Sequence, residues 1–126
     1  MSKIHEIVSA PSFICPPRIL KSIVQVDVDY VDFSGKVRVG VVEVNAKLAG
    51  DIRKFFAEAM RLRFPINRVA PASECRWNDD LLMAENVSSG FNYRLIDGTG
   101  LPSLHSYGAA IDINPVQNPY IRYTPG

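Results

Sequence analysis

From Val24 the chain alternates between apolar and polar positions: Val24, Val26, Val28 and Tyr30 are apolar, while Gln25, Asp27 and Asp29 are polar. A period of two marks a half-buried strand. Asp32-Phe33-Ser34-Gly35 supplies turn chemistry, and Lys36 to Val44 returns as a second β-rich run, so the segment predicts a hairpin. The second run changes phase: Val37, Val39 and Val41 alternate, then Val42 and Val44 take over. A bulge at Val41-Val42 would account for the slip. Asn45 can cap the next element, where Leu48, Ile52, Phe55, Phe56, Ala59 and Met60 recur at helical spacing, and the helix should stop before Pro65. Ile66 to Ala70 reads as a short strand. Asn78 caps a brief helix through Met83, with Asp79 and Asp80 in its first turn, where acidic side chains favour the helix start. Phe91 to Ile96 reads as a strand by its aromatic and β-branched content. Before all of these, residues 1–22 are punctuated by proline and predict an irregular arm, leaving 23–126 as the folded domain. Helices and strands mix without a βαβ rhythm, which predicts an α+β fold with a central antiparallel sheet and flanking helices.

Composition narrows the functions open to such a fold. A chain of 126 residues can bury one core, and 47% apolar with 21% charged residues is ordinary for a globular domain. Fourteen basic and thirteen acidic side chains nearly cancel, which excludes the basic field that a nucleic-acid partner requires. No apolar run approaches the length of a membrane span, and the start, Met-Ser-Lys-Ile-His-Glu, lacks the pattern of a signal peptide. Cys15 and Cys75 stand far apart and in no CxxC pattern, so a disulfide and two buried thiols both remain open.

The chemistry concentrates in Ser103-Leu104-His105-Ser106-Tyr107-Gly108-Ala109-Ala110-Ile111-Asp112-Ile113-Asn114-Pro115. Gly108 can adopt positive φ and turn the chain sharply. Ala109 to Asn114 then alternates as a strand, with Ile111 and Ile113 on one face and Ala110, Asp112 and Asn114 on the other. If the turn folds His105 back over the second face, imidazole and carboxylate converge on one cation. Zinc accepts both donor types. By itself, a His–Asp pair at this spacing is more often a surface ion pair or hydrogen bond than a metal site.

Ser-x-His-x-x-Gly-x-Ala-x-Asp resembles the signature of the zinc D-alanyl-D-alanine and L-alanyl-D-glutamate peptidases, the VanY-like carboxypeptidase family. The flanks are similar too: Asn78 to Asn86 followed by Ser88-Ser89-Gly90-Phe91-Asn92-Tyr93-Arg94 on one side, and Ile113-Asn114-Pro115 with Asn118-Pro119-Tyr120 on the other. The resemblance extends from about Val24 to Tyr120. It implies a zinc D,D-peptidase (hedgehog-like) fold and a cell-envelope location, periplasmic or secreted. It also implies zinc as cofactor and a peptidoglycan stem peptide as substrate, with the D-Ala-D-Ala and L-Ala-D-Glu bonds both candidates. His105 and Asp112 would then be metal ligands. Arg94 would hold a substrate carboxylate or the developing oxyanion, a task suited to a permanently charged, bidentate donor. Ser103 would contact substrate or orient the loop.

The same resemblance calls for a further histidine ligand and a general-base carboxylate after the aspartate. No histidine follows His105 and no Asp or Glu follows Asp112, and His5, the other histidine, matches no family position. The expectation is therefore a C-terminally incomplete domain, inactive as it stands. A non-catalytic module that binds cell-wall peptide is the alternative reading, and a metal-free structural domain a third.

Overall fold

The computed structural model describes residues 15–93 and 101–119. The hairpin is its backbone: β1 (Ile23–Val31) pairs antiparallel with β2 (Val37–Asn45), from Ile23 opposite Asn45 to Val31 opposite Val37. The register is unbroken, so the bulge expected at Val41-Val42 does not exist. The phase slip arises because the two faces of β2 are covered unequally. Val42 and Val44 lie on the face that carries Val24, Val26 and Val28 and are buried, whereas Val37 and Val39 lie on the opposite face and are exposed. Further along that second face Glu43 is buried too, and Gln25, its cross-strand neighbour, donates to it at 3.0 Å.

Asn45 ends β2 and accepts from Lys47 N, capping a short 3-10 turn (Ala46–Leu48) that leads into α2 (Ala49–Arg61). Before the hairpin lies α1 (Pro17–Leu20), so part of the stretch expected to be irregular is helical, with proline at its first position, where a missing N–H costs nothing. α2 buries Ala49, Phe56 and Ala59 against Val26, Val28, Tyr30, Val42 and Val44. Phe55, expected on this face, is at its edge and 42% exposed, stacking edge-on against Phe56. The helix stops before Pro65 as its sequence predicts. Arg63 N donates to Met60 O and Phe64 N to Ala59 O, with Arg63 in the left-handed region at φ 54°. That bond pattern is a Schellman stop.

Beyond Pro65 the strand expected over Ile66 to Ala70 shortens to β3 (Arg68–Val69). It pairs in parallel with β4 (Val87–Ser88), which follows α3 (Asp79–Ala84). Asn78 caps α3 by accepting from Leu81 N, with Asp79 and Asp80 in the first turn as expected. The mixed α+β class stands. Antiparallel pairing among the described residues, however, is confined to the hairpin and a single bridge between Ser89 and Asp112, where one central antiparallel sheet was expected. Phe91 to Tyr93 forms no strand, and the rest of that predicted strand lies outside the described residues. Phe91 is instead the centre of a second core with Cys15, Ile19, Leu20 and Ile23, and Trp77 packs edge-on against it. Cys15 and Cys75 are buried free thiols.

Candidate metal centre

Two segments are laid across the outer edge of β2, and each is admitted by a glycine. Phe91 N donates to Glu43 O at 2.7 Å, and a Cβ on Gly90 would sit 2.3 Å from that same Glu43 oxygen. Two residues along, Asn45 N donates to Gly108 O at 3.0 Å. Gly108 has φ 68°, and a Cβ there would lie 2.6 Å from Asn45 N. The sharp turn expected at Gly108 is therefore present, and close packing as well as backbone angle requires glycine.

That turn presents His105. A 3-10 turn (Leu104–Tyr107) follows Ser103, and the carbonyl of His105 accepts from both Asn92 N and Gly108 N at 3.1 Å. Its ring is 12% exposed and is held by Nδ1 at 2.8 Å from Gly90 O. A carbonyl oxygen only accepts, so Nδ1 carries a proton and Nε2 is the nitrogen that faces Asp112. Asp112 arrives from the other side. Its backbone exchanges two hydrogen bonds with Ser89, at 2.9 and 3.1 Å, and Oδ2 stops 3.2 Å from His105 Nε2. The extended run predicted over Ala109 to Asn114 reduces to this one bridge, yet Ile111 and Ile113 still pack on the main core while the Asp112 side chain stays 47% exposed.

The structure thus brings His105 and Asp112 together. An imidazole lone pair and a carboxylate repel at such a distance unless a proton or a cation lies between them. Two donors on one tetrahedral zinc, with bonds near 2.0–2.1 Å, would be separated by about 3.3 Å. The observed 3.2 Å fits that spacing as well as it fits an imidazolium–carboxylate contact. The bond from Nδ1–H to a backbone carbonyl is the outer support that metal-bound histidines use to fix their tautomer. The donor set therefore fits zinc as two of its ligands, and among the described residues no third His, Cys, Asp or Glu joins them.

The family model described as D-alanyl-D-alanine carboxypeptidase matches residues 97–126, the stretch that holds Ser103, His105, Gly108 and Asp112. That C-terminal stretch is similar to the peptidase family; the match covers less than a quarter of the chain. No curated protein and no solved structure matches the chain. His105 and Asp112 both lie within the matched stretch.

Of the other predicted site residues, Ser103 is buried, and its Oγ lies 3.4 Å from Ser106 Oγ. Arg94 and His5 lie outside the described residues. Three contributors enter the sequence only as flanks of the resemblance, with no role assigned: the Gly90 carbonyl that orients His105, the Ser89 backbone that anchors Asp112, and Asn114, two residues beyond it. Their partners lie up to 49 positions away, beyond the reach of any local pattern. A cleft of about 690 Å³ opens elsewhere, between the hairpin turn and β3, and none of the predicted site residues lines it. The guanidinium groups of Arg38 and Arg68 on its wall are each paired already, with Asp32 and Glu74.

Proposed function

We propose that the protein is a zinc metallopeptidase of peptidoglycan stem peptides, of D,D-carboxypeptidase or L-Ala-D-Glu endopeptidase type, built on the zinc D,D-peptidase (hedgehog-like) fold and working in the cell envelope. The observation that carries this reading is the convergence of His105 Nε2 and Asp112 Oδ2 at 3.2 Å inside the segment that matches the peptidase family. Bound zinc would supply Lewis acidity and a water of lowered pKa for attack on an amide carbonyl.

Within that reading each residue has a definite task. Gly90 O holds a proton on His105 Nδ1, which leaves Nε2 as the nitrogen that would bind the metal. The Ser89 bridge sets the height of Asp112 opposite it. Ser103, buried at the start of the turn, orients the loop that carries His105. Arg94 binds a substrate carboxylate or the developing oxyanion, the role its guanidinium suits.

Metal analysis of the purified protein and of His105→Ala and Asp112→Ala tests the assignment. The parent should take up zinc and both variants should lose it. Stoichiometric zinc retained in both variants would overturn the ligand reading. Incubation with muropeptides then separates a peptidase, which releases an amino acid or peptide, from a module that binds them intact.

A further inference from the structure

We propose that Asn114 is the positioning residue for Asp112, aiming its carboxylate at His105 and so setting the metal affinity of the pair. The metal arm of this inference rests on the ligand reading above; the geometric arm does not. Asp112 is half-exposed, and the backbone on either side of it fixes the point from which its side chain reaches His105. On one side is its own bridge to Ser89. On the other, with Ile113 alone between, is Asn114, which is 3% exposed and left-handed at φ 46°.

Every polar group of Asn114 is used. Its Nδ2 donates to Pro65 O at 2.9 Å, its Oδ1 accepts from Asn67 N at 2.9 Å, and its backbone N donates to Ser88 Oγ at 2.9 Å. Its carbonyl accepts from Gln117 N and Asn118 N, both at 2.9 Å. A second clasp backs the first: Asn67 Nδ2 donates to Asn86 O, and Asn86 Oδ1 accepts from Val116 N. The segment leaving Asp112 is thereby tied both to the turn after α2 and to the loop around β4. Asparagine suits the post because it tolerates the left-handed region better than most side chains while offering an NH2 donor group and a carbonyl acceptor in a fixed plane.

Asn114→Gly keeps the left-handed backbone and removes the amide clasp, whereas Asn114→Ala removes both. Zinc affinity is read by chelator competition at a temperature where each variant is folded, with melting in EDTA measured in parallel. Asn114→Gly should weaken zinc binding by about 10- to 100-fold, the loss that follows removal of an outer support, and Asn114→Ala should weaken it further. Asn78→Ala, which removes the α3 cap, should lower melting and leave zinc affinity unchanged. Parental zinc affinity in Asn114→Gly overturns the proposal. Should the parent itself take no zinc, the ligand reading fails and the geometric arm decides: the coupling between His105→Ala and Asp112→Ala in thermal stability, present in the parent, should vanish in the Asn114→Gly background. Unchanged coupling, or none in the parent, overturns it.

Discussion

The backbone N–H of Asn45 donates to the carbonyl oxygen of Gly108, which stitches the turn carrying His105 to the last residue of β2. Gly108 meets that strand with φ 68° and with no room for a Cβ, since Asn45 N and Ile23 Cδ1 would each be 2.6 Å away. Gly108→Ala should therefore cost about 2–4 kcal/mol, combining left-handed strain with overpacking. It should also weaken zinc binding, because relief of the clash lifts His105 from the hairpin. Urea denaturation checks the first part, and a variant as stable as the parent would contradict the packing argument.

The Gly108 turn was legible because a glycine three residues after a histidine is a local signal, as were the hairpin, α2 and the Asn78 cap. What surrounds the site was not. Val37, Val39 and Val41 look like a core stripe, but α2 packs on the other face of the hairpin, and the stripe ends in solvent at Val37 and Val39. Phe91 looks like a strand residue, yet its single backbone bond to Glu43 serves to seat a core aromatic. The Asn114 clasp depends on partners 26 to 49 positions away, and locally Asn114 reads as no more than the last residue of a strand before Pro115.

Asp32 closes the hairpin turn and gives the protein an acid-sensitive joint. The Ser34 hydroxyl above all, then the Arg38 guanidinium and the Lys36 N–H, hold its carboxyl well below the usual carboxylate range. With the folded value depressed, the stabilisation is fully present above the unfolded value near about pH 4 and is lost as pH falls through the lower folded value. Asp32→Asn should be less stable at neutral pH and should show a flatter loss of stability below about pH 4. Parallel pH–stability curves for parent and variant would refute this.

Burial pushes the Cys15 thiol up to about 11 and raises that of Cys75 as well. Thiolate is the nucleophile, so neither should react readily with a thiol reagent near about pH 8 while the protein is folded. Both should label within minutes in denaturant. Rapid stoichiometric labelling of the native protein would show that the pocket around Cys15, Ile19 and Phe91 is open.

The stop of α2 holds an unused reserve of stability. Arg63 occupies the left-handed position that glycine usually takes in a Schellman stop, at φ 54° and exposed. Arg63→Gly removes the Cβ strain but adds freedom to the unfolded chain, and the net should be a gain of about 0.5–1 kcal/mol. A lowered melting temperature would mean that the arginine side chain contributes more than its backbone strain costs.

Gly90 joins the two requirements of the site, because its missing Cβ lets β2 approach while its carbonyl fixes the His105 tautomer. A methyl group 2.3 Å from Glu43 O must push the Ser89–Phe91 segment off the strand. Gly90→Ala should then cost about 1–3 kcal/mol and, more tellingly, free the imidazole from its carbonyl. Nitrogen-15 NMR of the zinc-loaded protein separates these effects, since the parent should show His105 protonated at Nδ1 alone whereas the variant should show a mixture of ring forms. A destabilised variant that keeps the single Nδ1 tautomer would show that Gly90 matters for packing alone.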